Sequence, residues 1–428
     1  MRWTSKSLKV EQKSNRESLV RNVRVDQVVR LLDMALILTG TPGREELVEL
    51  WFAVLQTALT TTTTAPQAES NDSGRPLKRR KLSSSCQTLC TPSSFPTDLP
   101  EPAPTLRYPI QRTNELSLSA FQKRISSTET HTPLVIERAI QHWPALEERP
   151  WKNPGYLLEQ TLGGRRLIPV EVGKSYTDEG WGQRVITFRE FMETYMLDEP
   201  AEATGPTEES HNNESHGTYD SEGDTTPLSR NNARETPIGY LAQHDLFAQI
   251  PSLRADISIP DYCYSEPASS PHLTHIKPVA KLDEPLLNAW FGPAGTISPL
   301  HTDPYHNILA QVVGYKYVRL YAPQETQNLH PRSMDENGVD MSNTSKVDLD
   351  EAMKLYTEIS CWQSERENDN GQASSETMRE FEHEFPGFKD AKYTEAILGP
   401  GECLYLPVGW WHYIRSLTPS FSVSFWFN

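Results

Sequence analysis

The stretch SPLHTDPYHNI (residues 298–308) sets His301 and Asp303 two positions apart between prolines. Alternate side chains of an extended strand share a face, so an imidazole and a carboxylate at this spacing can meet one ion. Completed by another His, that donor set is the facial arrangement that binds non-haem Fe(II) and leaves positions open for a co-substrate and O2. The pair is weak by itself, because 12 His and 57 acidic residues supply about one His-x-acid pair by chance. Downstream, KYVRLY puts Lys316, Val318 and Leu320 on one face and Tyr317, Arg319 and Tyr321 on the other. A lysine on an apolar face needs an anion, since burying an unpaired ammonium is costly, and a carboxylate-bearing ligand would provide one. His412, in LPVGWWHYIRSL, is the candidate third ligand. The final FSVSFWF sets Phe421, Val423 and Phe425 against Ser422, Ser424 and Trp426, and small residues on an inner face leave room for a ligand. Each feature also has a plain reading: a surface His beside a turn Asp, a strand-end lysine reaching water, a core His donating to a carbonyl.

These residues need strands to position them. LLNAWFG, NILAQVVG, KYVRLYAP, ECLYLPVG and FSVSFWF are short β-type segments separated by Gly and Pro turns, which indicates a sandwich or barrel rather than a parallel α/β sheet. Two polar inserts, 198–233 and 351–384, interrupt residues 107–428, and both are expected to be disordered surface excursions. Residues 1–60 carry two amphipathic helices around the break TGTPG, expected to dock on the main domain or to be the remnant of a larger helical module. Residues 61–106, rich in Ser, Thr and Pro, read as a disordered linker. Within it PLKRRKL presents Lys78, Arg79, Arg80 and Lys81, a nuclear-import signal or plain solvated charge.

Composition narrows the partners. The formal charge of -16 argues against direct nucleic-acid binding, although nine acids and no Lys or Arg between Asp198 and Asp224 hold much of the excess. The five cysteines are scattered and odd in number, which suits a reducing compartment. The longest apolar run, VVRLLDMALILTG, is broken by Arg30 and Asp33 and is too short for a bilayer, and no apolar signal core opens the chain. The expectation is a soluble nuclear protein, also present in the cytoplasm, without membrane contact.

NAWFGPAGTISPLHTDPYHNILAQVVGYKYVRLYAPQE and LGPGECLYLPVGWWHYIRSLTPSFSVSFWF together resemble the Jumonji-C (JmjC) oxygenases, most closely the group of JmjC domain-containing protein five, also called lysine demethylase eight. The resemblance extends through VEVGKSYTDEGWGQRVITFREFMETY and PIGYLAQHDLFAQIPSLRADISIPDYC. It implies a mainly β fold, a double-stranded β-helix (jelly-roll, cupin-like barrel) with flanking helices. It implies Fe(II) on His301, Asp303 and His412, with 2-oxoglutarate paired to Lys316 and lined by Tyr240, Ser298, Asn307 and Trp426. Ser298 lies three before His301, so it reaches the same pocket only through a bulge near Pro299. With O2, such an enzyme would hydroxylate a protein or peptide side chain and release succinate and CO2. Glu171 and Trp181 match substrate-pocket positions in a group similar to arginyl hydroxylases, and a carboxylate beside an aromatic face suits a guanidinium. The alternatives are a histone lysine demethylase acting on chromatin-associated proteins, and a catalytically silent nuclear interaction protein.

Overall fold

The computed structural model describes residues 23–63, 91–127, 131–175, 177, 180–197, 238–268, 273, 276–334, 338–362 and 375–428. The acidic insert 198–233 and the basic cluster Lys78, Arg79, Arg80 and Lys81 lie outside the described residues. The strands are β1 (Arg112–Asn114), β2 (Leu134–Glu137), β3 (Leu167–Val172), β4 (Gly182–Thr187), β5 (Gly239–His244), β6 (Leu286–Gly292), β7 (Ile297–His301), β8 (His306–Val313), β9 (Lys316–Tyr321), β10 (Tyr393–Leu398), β11 (Cys403–Leu406), β12 (Trp411–Ser416) and β13 (Ser420–Phe427). Nine of them form one sheet in the order β1-β2-β11-β8-β13-β6-β5-β3-β4, and the other four form a second sheet, β10-β9-β12-β7.

Side-chain alternation explains how these strands divide inside from outside. Val318 and Leu320 of β9 meet Leu309 of β8 and Leu404 of β11 between the sheets, inside the barrel. Phe421, Val423 and Phe425 of β13 face the opposite way, into a core beneath the flanking helices, where Phe421 stacks 4.7 Å from Phe291. Ser422 and Ser424 point inward as expected: Ser422 donates to Gln311 Oε1 (2.7 Å), and Ser424 accepts from Trp290 Nε1 (2.9 Å).

The outer face of the small sheet is also buried, because Tyr317, Tyr321, Trp411 and Tyr413 pack against the chain between Val347 and Tyr393. Arg319 on that face is fully buried and pairs with Glu395 of β10 (3.2 Å), which also accepts from the Tyr317 hydroxyl and the Arg107 backbone. Glu395→Ala would strand the guanidinium, so it should destabilise the protein by about 3–5 kcal/mol in denaturant unfolding.

Two sequence expectations need correction. Within the stretch read as a linker, residues 91–106 are folded: Phe95 is buried 5.8 Å from Phe291, and the Thr105 amide donates to the Cys361 carbonyl (2.7 Å). Isolated apolar residues in a Pro-rich segment have no periodicity to betray them, yet they still fill a groove. Within the stretch 351–384, the helices Leu349–Leu355 and Ser375–Glu384 bury Ala352, Met353 and Phe381 against the small sheet. Acidic residues dominate that composition while the apolar ones keep one helical face.

The N-terminal segment is a docked helix pair. Helix α1 (residues 23–39) and helix α2 (Glu45–Thr63) bury Val25, Val29, Val48, Phe52 and Leu55 together with Leu162 of the main domain. Among the described residues no helix is long and apolar enough to cross a membrane.

Candidate metal centre

β7 and β12 pair antiparallel, which sets His301 directly opposite His412 with ring centroids 4.1 Å apart. Asp303, just beyond β7, completes the cluster: its Oδ1 lies 3.9 Å from His301 Nε2 and its Oδ2 3.5 Å from His412 Nε2. One potential ligand atom from each of the three residues lies within 4.8 Å of the others.

Backbone carbonyls set the tautomers. His301 Nδ1 stands 2.7 Å from the Pro299 carbonyl and His412 Nδ1 3.1 Å from that of Trp410, so each ring donates through Nδ1 and offers Nε2 as a lone pair. Burial, and then the neighbouring His301, holds the His412 imidazole well below its usual range, in the neutral form that ligates. Burial raises the Asp303 carboxyl, partly offset by His301. Two imidazoles and a carboxylate converging on one point are a donor set that fits Fe(II).

Lys316, at the start of β9, is buried, and burial lowers its pKa to about 7. Its Nζ lies 3.2 Å from the Tyr240 hydroxyl, which also hydrogen-bonds Ser298. Among the described residues no carboxylate pairs with Lys316. The bulge expected near Pro299 is present: β12 advances two residues from His412 to Ile414 while β7 covers the three from His301 to Ser298. That extra residue lets Ser298 reach Tyr240. Asn307 and Trp426 are cross-strand partners on β8 and β13, and Asn307 Oδ1 and Trp426 Nε1 are both buried without a hydrogen-bond partner. Orphaned polar atoms, and a buried lysine amine without a carboxylate partner among the described residues, are what a polar, anionic ligand would satisfy.

Glu171 pairs with Tyr240 across β3 and β5 and accepts from Trp181 Nε1 (3.4 Å), while burial raises its carboxyl pKa. The two substrate candidates therefore touch each other and adjoin the Lys316 pocket through Tyr240. Two further aromatic residues line the same region. Trp290 sits opposite Ser422 with its ring 6.1 Å from Tyr240, and Tyr305 stacks 5.5 Å from Trp426. The alternation of LLNAWFG would have put Trp290 on the inner face, whereas Tyr305, in a turn, carried no periodic signal. His306 is a core residue, with Nδ1 3.0 Å from the Tyr405 hydroxyl and a pKa lowered to about 3, chiefly by burial.

Residues 119–428 match the model of a cupin-like domain. Lysine-specific demethylase 8 of Xenopus tropicalis is 38% identical over 296 residues, 69% of this chain and 48% of that protein. Its counterpart in Danio rerio is 31% identical over 404 residues, covering 94% of this chain and 75% of the relative. Jumonji C domain-containing protein 5 of Drosophila melanogaster is 34% identical over 334 residues, 78% of this chain and 63% of that one. The chain thus spans about half the length of the Xenopus relative.

Proposed function

The chain belongs to the Jumonji-C family of cupin-like proteins, and from that premise we propose that it is an Fe(II)- and 2-oxoglutarate-dependent dioxygenase that hydroxylates a protein side chain, arginine foremost. The observation that carries this reading is the buried Lys316 amine, without a carboxylate partner among the described residues, in the same barrel as the converging His301, Asp303 and His412. His301, Asp303 and His412 would hold the metal. Lys316 and the Tyr240 hydroxyl would hold the distal carboxylate of 2-oxoglutarate, with Ser298, Asn307 and Trp426 lining its flanks. Iron held there would supply, with 2-oxoglutarate and O2, the oxidising power to hydroxylate an unactivated C–H bond, with succinate and CO2 as co-products. The chain's own part is to orient the co-substrate, keep water out and present the target side chain.

Glu171 supports arginine as the target. A half-buried carboxylate can accept a guanidinium fork while a neighbouring tryptophan ring stacks on the guanidinium plane. Demethylation of a methylated lysine is the second reading, favoured by the names of the Xenopus and Danio relatives. Import through Lys78, Arg79, Arg80 and Lys81, and substrates among chromatin-associated proteins, belong to the same proposal.

Mass spectrometry of arginine peptides and methyl-lysine peptides incubated with Fe(II), 2-oxoglutarate and air separates the two. A stable gain of one oxygen on arginine is expected, and loss of a methyl group from lysine would favour the second reading. Glu171→Gln should raise the KM for an arginine peptide by about tenfold or more while leaving peptide-free succinate formation unchanged. An unaltered KM would remove Glu171 from the substrate site.

A further inference from the structure

Asp33 interrupts the apolar face of α1, yet it is fully buried. Its carboxylate accepts from Arg166 Nε (2.9 and 3.1 Å), from the Leu167 backbone N–H (2.7 Å) and from Gln249 Nε2 (2.8 Å), with Arg166 Nη2 2.8 Å from Oδ1. Gln249 extends the junction. Its Nε2 also donates to the Leu167 carbonyl (2.7 Å), its own carbonyl accepts from Arg166 Nη2 (2.7 Å), and its Oε1 lies 2.7 Å from His244 Nε2.

Leu167 opens β3 and His244 closes β5, the strands that carry Glu171 and Tyr240. The described ladder between them covers Glu171 against Tyr240 and Val172 against Gly239, continued by the Gly173 amide bonding the Ile238 carbonyl. All of these bonds lie at the pocket end. β5 also slips register against β6 between Leu241 and His244. The far ends of β3 and β5 are joined to each other through Gln249 and Asp33 rather than by a ladder, while β3 pairs with β4 along its whole length and β5 pairs with β6 again at His244. Between these two strands the ladder is confined to the pocket end, so the junction of Asp33, Leu167 and Gln249 is what ties the start of β3 to the end of β5, and through these strands it bears on how Glu171 and Tyr240 are presented.

We propose that Asp33 is a positioning residue for the oxygenase pocket: from the N-terminal helix pair it sets, through Leu167 and Gln249, the strands that present Glu171 and Tyr240. The inference rests on the reading of Tyr240 as part of the 2-oxoglutarate pocket.

The test pairs Asp33→Leu with Arg166→Met, an apolar replacement that strands no buried charge. The KM for 2-oxoglutarate in succinate formation should rise about five- to tenfold. Mn(II) affinity should stay as in the wild type, because the metal ligands lie on and beside β7 and β12. Asp26→Ala removes the exposed contact of α1 with Arg165 (3.0 Å), touches neither strand bridge, and should leave the KM alone. A double variant with native circular dichroism and a KM within about twofold of wild type would reduce Asp33 to a staple and overturn the inference. If the double variant does not fold, hydrogen exchange on the wild type decides. Adding 2-oxoglutarate with Mn(II) should slow exchange of the Leu167 amide and the α1 amides around Asp33 about threefold, and unchanged exchange overturns the proposal. A wild-type protein that forms no succinate would instead sink the functional reading, and this inference with it.

Discussion

His301→Ala should reduce 2-oxoglutarate turnover by at least about a thousandfold, because losing several kcal/mol of metal-borne stabilisation costs a factor of ten for each ~1.4 kcal/mol. The loss should begin at the metal. The Nε2 lone pair of His301 is one of three donors, and neither remaining donor can move to replace it: His412 is tied to the Trp410 carbonyl, and the Asp303 carbonyl accepts from the Gly409 amide (3.3 Å). Mn(II) titration should therefore weaken along with activity, while the thermal transition stays near that of the wild type, since His301 forms no part of the apolar cores. Full turnover by the variant would refute the oxygenase reading.

Lys316→Ala should raise the KM for 2-oxoglutarate by about a hundredfold, the loss of a buried charge-assisted contact of up to ~3 kcal/mol. Its metal affinity should not change. The same lysine predicts a pH signature. Burial takes its pKa from 10.5 down to about 7, so between those values the unfolded chain carries a proton that the folded protein lacks. Stability from this group is therefore greatest above the unfolded value and is lost as pH falls from 10.5 towards 7. Lys316→Met should flatten that dependence and stabilise the ligand-free protein at neutral pH, measured by thermal unfolding at several pH values. Binding of the 2-oxoglutarate dianion has the opposite requirement, a protonated amine. Its affinity should accordingly fall by about tenfold per pH unit above 7, read by calorimetry in buffers of different ionisation enthalpy.

Much of the barrel was legible because a strand has a period of two, and a residue out of character on the apolar face stands out. Lys316 among Val318 and Leu320, and Ser422 and Ser424 between phenylalanines, pointed to a ligand cavity before any pairing was known. Once the resemblance placed Ser298 in the pocket, the bulge near Pro299 followed as well, since Ser298 could not share a face with His301 in a regular strand. The folded segments at 91–106 and in 351–384 escaped for the converse reason. Phe95 and Thr105 are held by a groove that other parts of the chain supply, and nothing local marks them, whereas Phe381 lies on an apolar helical face that the surrounding acidic residues obscured.

Residue types and alternation by themselves offered His301 and Asp303 as a possible donor pair, His412 as a candidate third donor and Lys316 as a lysine on an apolar face, and the resemblance gave these residues their expected roles. Only the tertiary structure decided that His412 faces His301 across an antiparallel pair, that Glu171 abuts Tyr240, and that Asp33 reaches the start of β3. Such pairings join residues far apart in the chain. They are set by register and by the burial of whole faces, quantities that exist once the sheets have closed and that no local run of residues contains.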